Sequence, residues 1–288
     1  MNITFIGLGL IGASMAMAAK GFKSAVISGV DNDPEVVEKA KNLGVFDTVT
    51  SNAAEALADA DLVIICIYPD GIAPFIRENI ANFKHGALIT DVCGVKEKLS
   101  REVAALLATA SNVIIGGTVD YVGIHPMAGK EVEGIGNAEA GLFADTGFII
   151  TPVETSKPRS VELLREFATH IGATKIAVTT PRRHDEIIAY TSDLMHISAA
   201  ALCLDFEADM TLAYAAGAFR DSTRVAQINP ELWSELFLAN KEHTLNEIDR
   251  LTRSIGRIRS SIEREDKAEL FALLETVRKN KIDMQGRK

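Results

Sequence analysis

A glycine motif near the N-terminus, GLGLIG at residues 7–12, constrains the fold more than any other feature of this sequence. It directly follows a short apolar run at residues 3–6 and opens a stretch of good helix formers at residues 14–20. In such a strand–turn–helix unit, the first glycine permits the tight turn, the second lets the backbone approach a pyrophosphate, and the third lets helix and strand pack closely. The helix N-terminus offers free N–H groups and a partial positive charge to phosphates. The motif therefore predicts a dinucleotide-binding βαβ unit.

A second apolar run ends at Asp31, nineteen residues after the last glycine of the motif. A carboxylate at this place can accept hydrogen bonds from both ribose hydroxyls and would repel a 2′-phosphate, so we expect NAD rather than NADP. Asp31 could instead cap a helix beginning near Pro34, but Asn32 and Asp33 are better placed for that. The predicted cofactor-binding residues are Gly7, Gly9, Leu10, Ile11, Gly12 and Asp31.

The first half of the chain alternates short apolar runs with segments of helical spacing. The runs lie at residues 3–6, 25–30, 62–68, 87–90, 147–151 and 174–178, with one more at either 113–115 or 121–124. Continuous runs without alternation indicate strands buried on both faces, as in a parallel sheet covered by helices. One helix between them is predicted at residues 33–43, with Pro34 in its first turn and Gly44 just past its end. We predict an α/β, Rossmann-type doubly wound, mostly parallel sheet.

After Pro181 the pattern changes to helical periodicity with almost no strand signal. Helices are expected at residues 187–206, 232–255 and 263–277. The chain has 288 residues, more than one average core usually needs, so two domains are expected. We place a dinucleotide-binding domain at residues 1–180 and an all-helical substrate and dimerisation domain at residues 181–288.

Charge and cysteine content argue against several classes of protein. The formal net charge is −9, with acids and bases interspersed, which gives no attraction to nucleic acid or anionic lipid. No apolar stretch approaches about 20 residues, so we expect no membrane span. Three well-separated cysteines without a CxxC pair, and an N-terminus unlike a signal peptide, are typical of a cytoplasmic protein. The histidines lack the spacing of a zinc site, so no metal is expected.

Four further segments carry polar residues typical of an active site: TDVCGVK at 90–96, GIHPMAG at 123–129, SDLMH at 192–196 and GAFRDSTR at 217–224. With the glycine motif and the PELW segment at 230–233, and in this order, they resemble the prephenate/arogenate (cyclohexadienyl) dehydrogenase family of tyrosine biosynthesis over nearly the whole chain. The resemblance implies a cytoplasmic homodimer that carries out NAD-dependent oxidative decarboxylation of a cyclohexadiene bearing a ring hydroxyl and a carboxylate. We expect prephenate as the substrate, with arogenate as the alternative.

The resemblance assigns the central chemistry to two residues. His125 matches the catalytic histidine of the family, which accepts the hydroxyl proton, a task suited to a neutral imidazole. Pro126 favours an extended backbone at His125, and we expect neighbouring glycines to let this segment form a loop around the ligand. Arg224 matches the arginine that binds the substrate carboxylate, with a surface ion pair to Asp221 as the alternative.

Further substrate-binding roles follow from the same resemblance. His196 matches the histidine that meets the substrate side chain, and Trp233 a tryptophan near the pocket entrance. A core histidine and a packing tryptophan are the structural alternatives. Glu131 and Asp185 are expected nearby as polar partners, and the His184-Asp185 pair is expected to orient the domain junction.

The sequence departs from the family pattern at two places. Many relatives carry a serine at the position of Gly94, where it shares the substrate hydroxyl with the catalytic histidine. Here water or the side chain of Thr90, Cys93 or Lys96 would have to replace that serine. At the second place, Asp193 introduces an acid that could attract the amino group of arogenate.

Two other functions are compatible with the glycine motif alone. Dehydrogenases of 3-hydroxy acids or imines use a lysine on the first long helix after the α/β domain, but residues 182–206 contain none. A non-catalytic NAD sensor would need the glycine motif and Asp31 without His125 and Arg224.

Overall fold

The computed structural model describes residues 1–110, 119–204 and 214–286. The chain folds as two compact units, Met1–Asn240 and Lys241–Lys288. The predicted domains at residues 1–180 and 181–288 stay a prediction. Of the two candidate runs for one strand, the run at residues 113–115 lies outside the described residues.

The strands of the first unit are β1 (Asn2–Ile6), β2 (Val26–Val30), β3 (Thr48–Thr50), β4 (Leu62–Ile65), β5 (Leu88–Asp91), β6 (Asp120–Met127), β7 (Gly147–Pro152) and β8 (Lys175–Val178). Within the described ranges they form one sheet in the order β3-β2-β1-β4-β5-β6-β7-β8. Every pairing is parallel except that of β6 with β7. The predicted doubly wound, mostly parallel sheet is confirmed. Strand order reverses between β1 and β4, the place where such sheets bind ligands.

The helices of the described residues are α1 (Leu10–Ala18), α2 (Pro34–Asn42), α3 (Ala53–Ala58), α4 (Pro69–Glu78), α5 (Glu97–Ala110), α6 (Pro158–His170), α7 (Pro181–Ile188), α8 (Leu194–Leu204), α9 (Gly217–Thr223), α10 (Pro230–Ala239), α11 (Lys241–Glu263) and α12 (Lys267–Gly286). A π-helical turn at Ala189–Asp193 joins α7 to α8. From α7 onward the described residues contain no strand, so the predicted helical half is confirmed.

Two apolar cores cover the opposite faces of the sheet. In the central strand β4, Leu62 and Ile64 belong to one core, and Val63 and Ile65 belong to the other. Successive side chains of a strand point to opposite faces, so a strand covered on both sides must be apolar throughout. This double burial explains the continuous apolar runs in the sequence.

The positions of helix ends depend on side-chain hydrogen bonds more than on the periodicity of apolar residues. The side chain of Asp33 caps α2 by accepting from Glu35 N at 2.8 Å, as predicted. The single helix predicted at residues 232–255 is instead two, because Asn240 ends α10. The amide of Asn240 donates to the backbone oxygen of Asp185 at 3.1 Å and to Asp193 Oδ2 at 2.8 Å. These contacts fix the break, although the apolar periodicity continues across it.

One helical run, Pro181–Leu204, is 24 residues long, and an 18-residue window of it has a mean hydropathy of 1.5, enough by length and composition to cross a membrane. Residues 187–204 of this run contain one charged residue, Asp193, which explains the high hydropathy of that window. Asp185 and Asp193 are buried within the run and accept hydrogen bonds inside the protein. A single helix of this kind is weak support for a membrane span, since core helices of globular proteins have the same composition.

Candidate active site

The glycine turn between β1 and α1 leaves its backbone open on one side. Gly7 has φ of +86°, and a Cβ on it would lie 2.7 Å from the backbone oxygen of Cys66. A Cβ on Gly12 would lie only 2.0 Å from the backbone oxygen of Gly7. A Cβ on Gly9 would meet no atom within 4 Å. Gly7 and Gly12 therefore leave no space for a side chain. The backbone at Gly9, just before Leu10 and Ile11 begin α1, is uncovered, as a bound pyrophosphate requires.

Asp31 follows β2 and holds the glycine turn in place. Its Oδ2 accepts from the backbone N–H of Leu8 at 2.8 Å, and its Oδ1 accepts from that of Asp33 at 3.0 Å. Each carboxylate oxygen can accept a further hydrogen bond. Because Asp33 caps α2, the carboxylate of Asp31 is positioned to receive ribose hydroxyls beside the turn.

His125 lies within strand β6, opposite Ile149 of β7, and the expectation of a loop at this position was wrong. An extended strand satisfies the backbone preference that Pro126 imposes on the residue before it. A Cβ on Gly123 would lie 2.7 Å from Thr151 Oγ1 and 3.1 Å from the Lys96 side chain. This glycine therefore makes room for Lys96 rather than freeing a loop.

Behind His125 the structure places a chain of polar groups. Its Nδ1 lies 2.9 Å from His184 Nε2, and His184 Nδ1 lies 2.7 Å from Asp185 Oδ1. The Asp185 carboxylate also accepts from the backbone N–H groups of Lys96 at 2.8 Å and Glu97 at 2.7 Å, in the first turn of α5. Sequence reasoning gave His184 only a role at the domain junction. The adjacent His and Asp were the available signal, but their partner His125 is 59 positions away.

The surroundings of His125 and His184 keep both imidazoles in the neutral form. Burial brings the pKa of His125 well below its usual value, and the neighbouring His184 and Lys96 lower it further. Burial also lowers the pKa of His184, and this effect outweighs that of the hydrogen bond His184 donates to Asp185, which raises it. At neutral pH His125 is therefore available as a proton acceptor.

Two of the three side chains considered as a replacement for the missing serine, those of Lys96 and Thr90, already have partners. Lys96 and Asp91 form a fully buried ion pair, with Nζ 2.6 Å from Oδ1. Thr90 Oγ1 donates to the backbone oxygen of Val122 at 2.6 Å. Burial raises the pKa of the Cys93 thiol to about 12. A Cβ at Gly94 would lie 3.3 Å from a methyl carbon of Leu236, so that part of the space is apolar.

A second group contains three residues predicted to bind substrate, Arg224, His196 and Trp233, and Glu131, predicted as a polar partner. The rings of His196 and Trp233 stack with centroids 3.6 Å apart and an interplanar angle of 30°. Arg224 forms an ion pair with Glu131, in the segment after β6. Burial lowers the pKa of His196, and the opposite charges of Glu131 and Arg224 act on it in opposing directions. The structure thus brings the predicted Arg224, His196, Trp233 and Glu131 to one place.

Asp193 does not face this group as a free acid. It is buried, 2% exposed, and its Oδ2 accepts from the amide of Asn240 at 2.8 Å. Its carboxylate therefore has a role in fixing the end of α10. In the described part of the chain, no cluster of three His, Cys, Asp or Glu side chains could hold a metal ion.

Comparison with known families gives two matches that together span most of the chain. The profile of the prephenate dehydrogenase nucleotide-binding domain matches residues 13–177. The profile of the prephenate dehydrogenase dimerization domain matches residues 180–276.

Curated relatives and solved structures agree with these profiles. The prephenate dehydrogenase of Bacillus subtilis (strain 168) is 31% identical over 284 residues, covering 96% of this chain and 74% of the relative. The cyclohexadienyl dehydrogenase of Zymomonas mobilis is 30% identical, covering 92% of this chain and 89% of the relative. A prephenate dehydrogenase from A. aeolicus in complex with hydroxyphenyl propionate and NAD+ has a TM-score of 0.83 at 27% identity, over 99% of this chain and 98% of that one. Synechocystis arogenate dehydrogenase has a TM-score of 0.82 at 27% identity, over 99% and 100% of the two chains.

Proposed function

Since the chain belongs to the prephenate dehydrogenase family, we propose that it catalyses the NAD-dependent oxidative decarboxylation of prephenate to 4-hydroxyphenylpyruvate in tyrosine biosynthesis. The observation that carries this proposal is a neutral imidazole, His125, mounted on the sheet with its Nδ1 hydrogen-bonded to His184 at 2.9 Å. Arogenate, with tyrosine as product, is the alternative substrate, because an arogenate dehydrogenase shares the fold over the whole chain.

The residues of the glycine turn fit the cofactor that the family uses. The uncovered backbone at Gly9 and the N-terminus of α1 would receive the pyrophosphate, and Asp31 would accept the ribose hydroxyls. A carboxylate at that place disfavours the 2′-phosphate of NADP. Bound NAD supplies the hydride acceptor for the oxidation.

Residues of the chain itself carry out proton transfer and substrate binding. His125 accepts the proton of the ring hydroxyl as the ring carbon becomes carbonyl-like, while the ring carboxylate leaves as CO2. Arg224 binds a substrate carboxylate bidentately, in place of its ion pair with Glu131. His196 and Trp233 meet the substrate side chain beside it. Since Gly94 has no side chain, His125 contacts the ring hydroxyl without a neighbouring serine, and water or the Cys93 thiol supplies a second contact.

We also propose a cytoplasmic homodimer. The match to a dimerization domain supports the dimer, as do large apolar side chains exposed on the last two helices, among them Phe271, 69% exposed, and Ile262, 58% exposed. Free thiols at Cys66, Cys93 and Cys203 suit a reducing compartment. Light scattering after size exclusion should give twice the mass of one chain, and a monomer at micromolar concentration would contradict the dimer.

The substrate is tested by following NADH while the enzyme is mixed with NAD and either prephenate or arogenate, with pyruvate-type hydroxy acids as controls. We expect NADH and 4-hydroxyphenylpyruvate with prephenate, and a lower kcat/KM with arogenate. A higher kcat/KM with arogenate would replace the main proposal by its alternative. Tight NAD binding with no NADH from either substrate would indicate a sensor instead of an enzyme.

A further inference from the structure

The direction of the hydrogen bonds at Asp185 is fixed by groups that cannot reverse. Backbone N–H groups of Lys96 and Glu97 can only donate, and both donate to this carboxylate. The carboxylate also lies at the N-terminal end of α5, where the first N–H groups of a helix have no partner within the helix. Asp185 is therefore an acceptor, and the 2.7 Å contact with His184 must be donated from His184 Nδ1.

The direction of the hydrogen bond at His184 Nδ1 also fixes the direction of the hydrogen bond between His184 and His125. A neutral imidazole carries one N–H, so when His184 Nδ1 is protonated its Nε2 can only accept. The 2.9 Å contact at Nε2 must then be donated by Nδ1 of His125. That leaves the lone pair of His125 on Nε2. Burial, which keeps both rings neutral, removes the doubly protonated alternatives.

We propose that His184 is a positioning residue that sets the tautomer of His125, with the proton on Nδ1 and the lone pair on Nε2 pointed to substrate. This inference rests on the proposed function, in which His125 is the general base. It assigns to His184 and Asp185 a task in the reaction rather than at a domain junction.

The same contacts define where the proton goes during turnover. The hydroxyl proton of the substrate binds His125 Nε2, and the new imidazolium donates its Nδ1 proton toward His184 Nε2. When that proton transfers, His184 becomes the cation, with its Nδ1–H still donated to ionised Asp185. One proton leaves the substrate oxygen and is gained by the pair of rings, and it returns to the phenolate oxygen formed when CO2 leaves. Lys96 also faces both rings, but its charge is balanced by Asp91 at 2.6 Å.

A structural role alone would not require His184. Asp185 ties α7 to the first turn of α5 through backbone N–H groups, and these bonds remain if the imidazole is lost. The tautomer of His125, by contrast, depends on the acceptor at His184 Nε2. The two roles therefore differ in what they predict for a His184 variant that keeps an acceptor.

The direct test is the ¹⁵N NMR spectrum of histidine-labelled protein without substrate, with His125→Asn used to assign the His125 signals. We expect a protonated Nδ1 and an unprotonated Nε2 on His125 near pH 7.5. In His184→Leu we expect a mixture of tautomers, and in His184→Gln, which offers an amide oxygen near the lost Nε2, a return toward the Nδ1–H form. A wild-type His125 protonated on Nε2, or an unchanged spectrum in His184→Leu, would overturn the inference.

Kinetics provide the second measurement. His184→Leu should lower kcat by roughly ten- to a hundredfold, part of the effect of a positioned general base, and leave the Kd for NAD unchanged. His184→Gln should recover most of that loss. His170→Leu, at an exposed histidine of α6, is the matched control. Equal kcat in wild type and His184→Leu, both folded by circular dichroism, would also overturn the inference. If wild type oxidises neither substrate, the proposed function fails, and the NMR result still decides the tautomer.

Discussion

At the scale of the residue, the site depends on what surrounds each titratable group. His125 is kept neutral by burial and by neighbouring positive charge, so it can accept a proton without first losing one. Arg224 has the opposite environment, since its side chain is 65% exposed and paired with an acid that is 41% exposed, Glu131. His125, the proposed proton acceptor, is thus buried, whereas Arg224, the proposed carboxylate-binding residue, is accessible to an incoming anion.

His125→Asn removes the proton acceptor and should leave the cofactor contacts intact. We expect turnover to fall by roughly 10²–10⁴-fold, the usual effect of losing a general base. Steady-state kinetics together with NAD binding measured by fluorescence would check this. Unaltered turnover would remove the histidine from the mechanism.

Arg224→Ala should act mainly on substrate binding. The guanidinium contact exists in the ground state as well as in the transition state, so the KM for prephenate should rise with a smaller change in kcat. The melting temperature should hardly move, because an exposed ion pair contributes only about 0–1 kcal/mol. Arg220→Ala, on the exposed face of α9, is the control. An unchanged KM would assign Arg224 to its pair with Glu131 alone.

The sequence predicts single residues well where a motif surrounds them and poorly where contacts are distant. The turn glycines and Asp31 are recognisable because the strand, turn and helix that need them are contiguous. His184 is not, because its partner in β6 belongs to another segment and only folding brings them together. Asp193 was misread for the same reason, since its partner Asn240 is 47 positions away.

At the scale of the element, helix and strand ends decide the shape of the site. The first turn of α5 presents two N–H groups to Asp185 of α7, and the loop before it carries Gly94 against Leu236 of α10. From helical spacing the sequence predicted α10 as part of residues 232–255 but set no bounds for α5 or α7. It missed β3, three residues long with two threonines, because so short an edge strand has no apolar run. It also missed the end of α10, which depends on a buried side-chain contact.

Gly94→Ser tests the loop before α5. The new Cβ would lie 3.3 and 3.6 Å from the two terminal methyl carbons of Leu236, which can shift by a few tenths of an ångström. We expect a loss of stability below about 1 kcal/mol and, if the hydroxyl meets the substrate hydroxyl as in relatives, a severalfold gain in kcat/KM, the value of about one hydrogen bond. Gly94→Ala adds the same carbon without the hydroxyl. Equal kcat/KM in the two variants would show that the hydroxyl makes no such contact.

At the scale of the whole molecule, the buried rings couple stability to pH. The folded-state pKa values of His125 and His184 lie below the unfolded value of about 6.5, so the unfolded chain binds protons that the folded one excludes. The stability they contribute is therefore present above pH 6.5 and lost as pH falls below it. The slope approaches about 1.4 kcal/mol per pH unit for each ring.

Urea unfolding at pH 7.5, 6.5 and 5.5 would measure this dependence. We expect the free energy of unfolding to fall between pH 6.5 and 5.5, and to fall less steeply in His184→Gln. An identical pH dependence in that variant would show that His184 does not contribute.

The position of His125 within a central strand has a consequence for how new substrate specificities can arise. The proposed base, His125, lies on β6, a strand hydrogen-bonded to β5 on one side and β7 on the other, while Arg224, the proposed carboxylate-binding residue, lies in a short 3-10 turn at the surface. In this arrangement the residue proposed for proton transfer belongs to the central sheet, whereas the residue proposed for substrate recognition belongs to a surface segment that tolerates substitution. Laboratory evolution confined to such segments should redirect the enzyme to other ring acids while the oxidation itself is inherited unchanged.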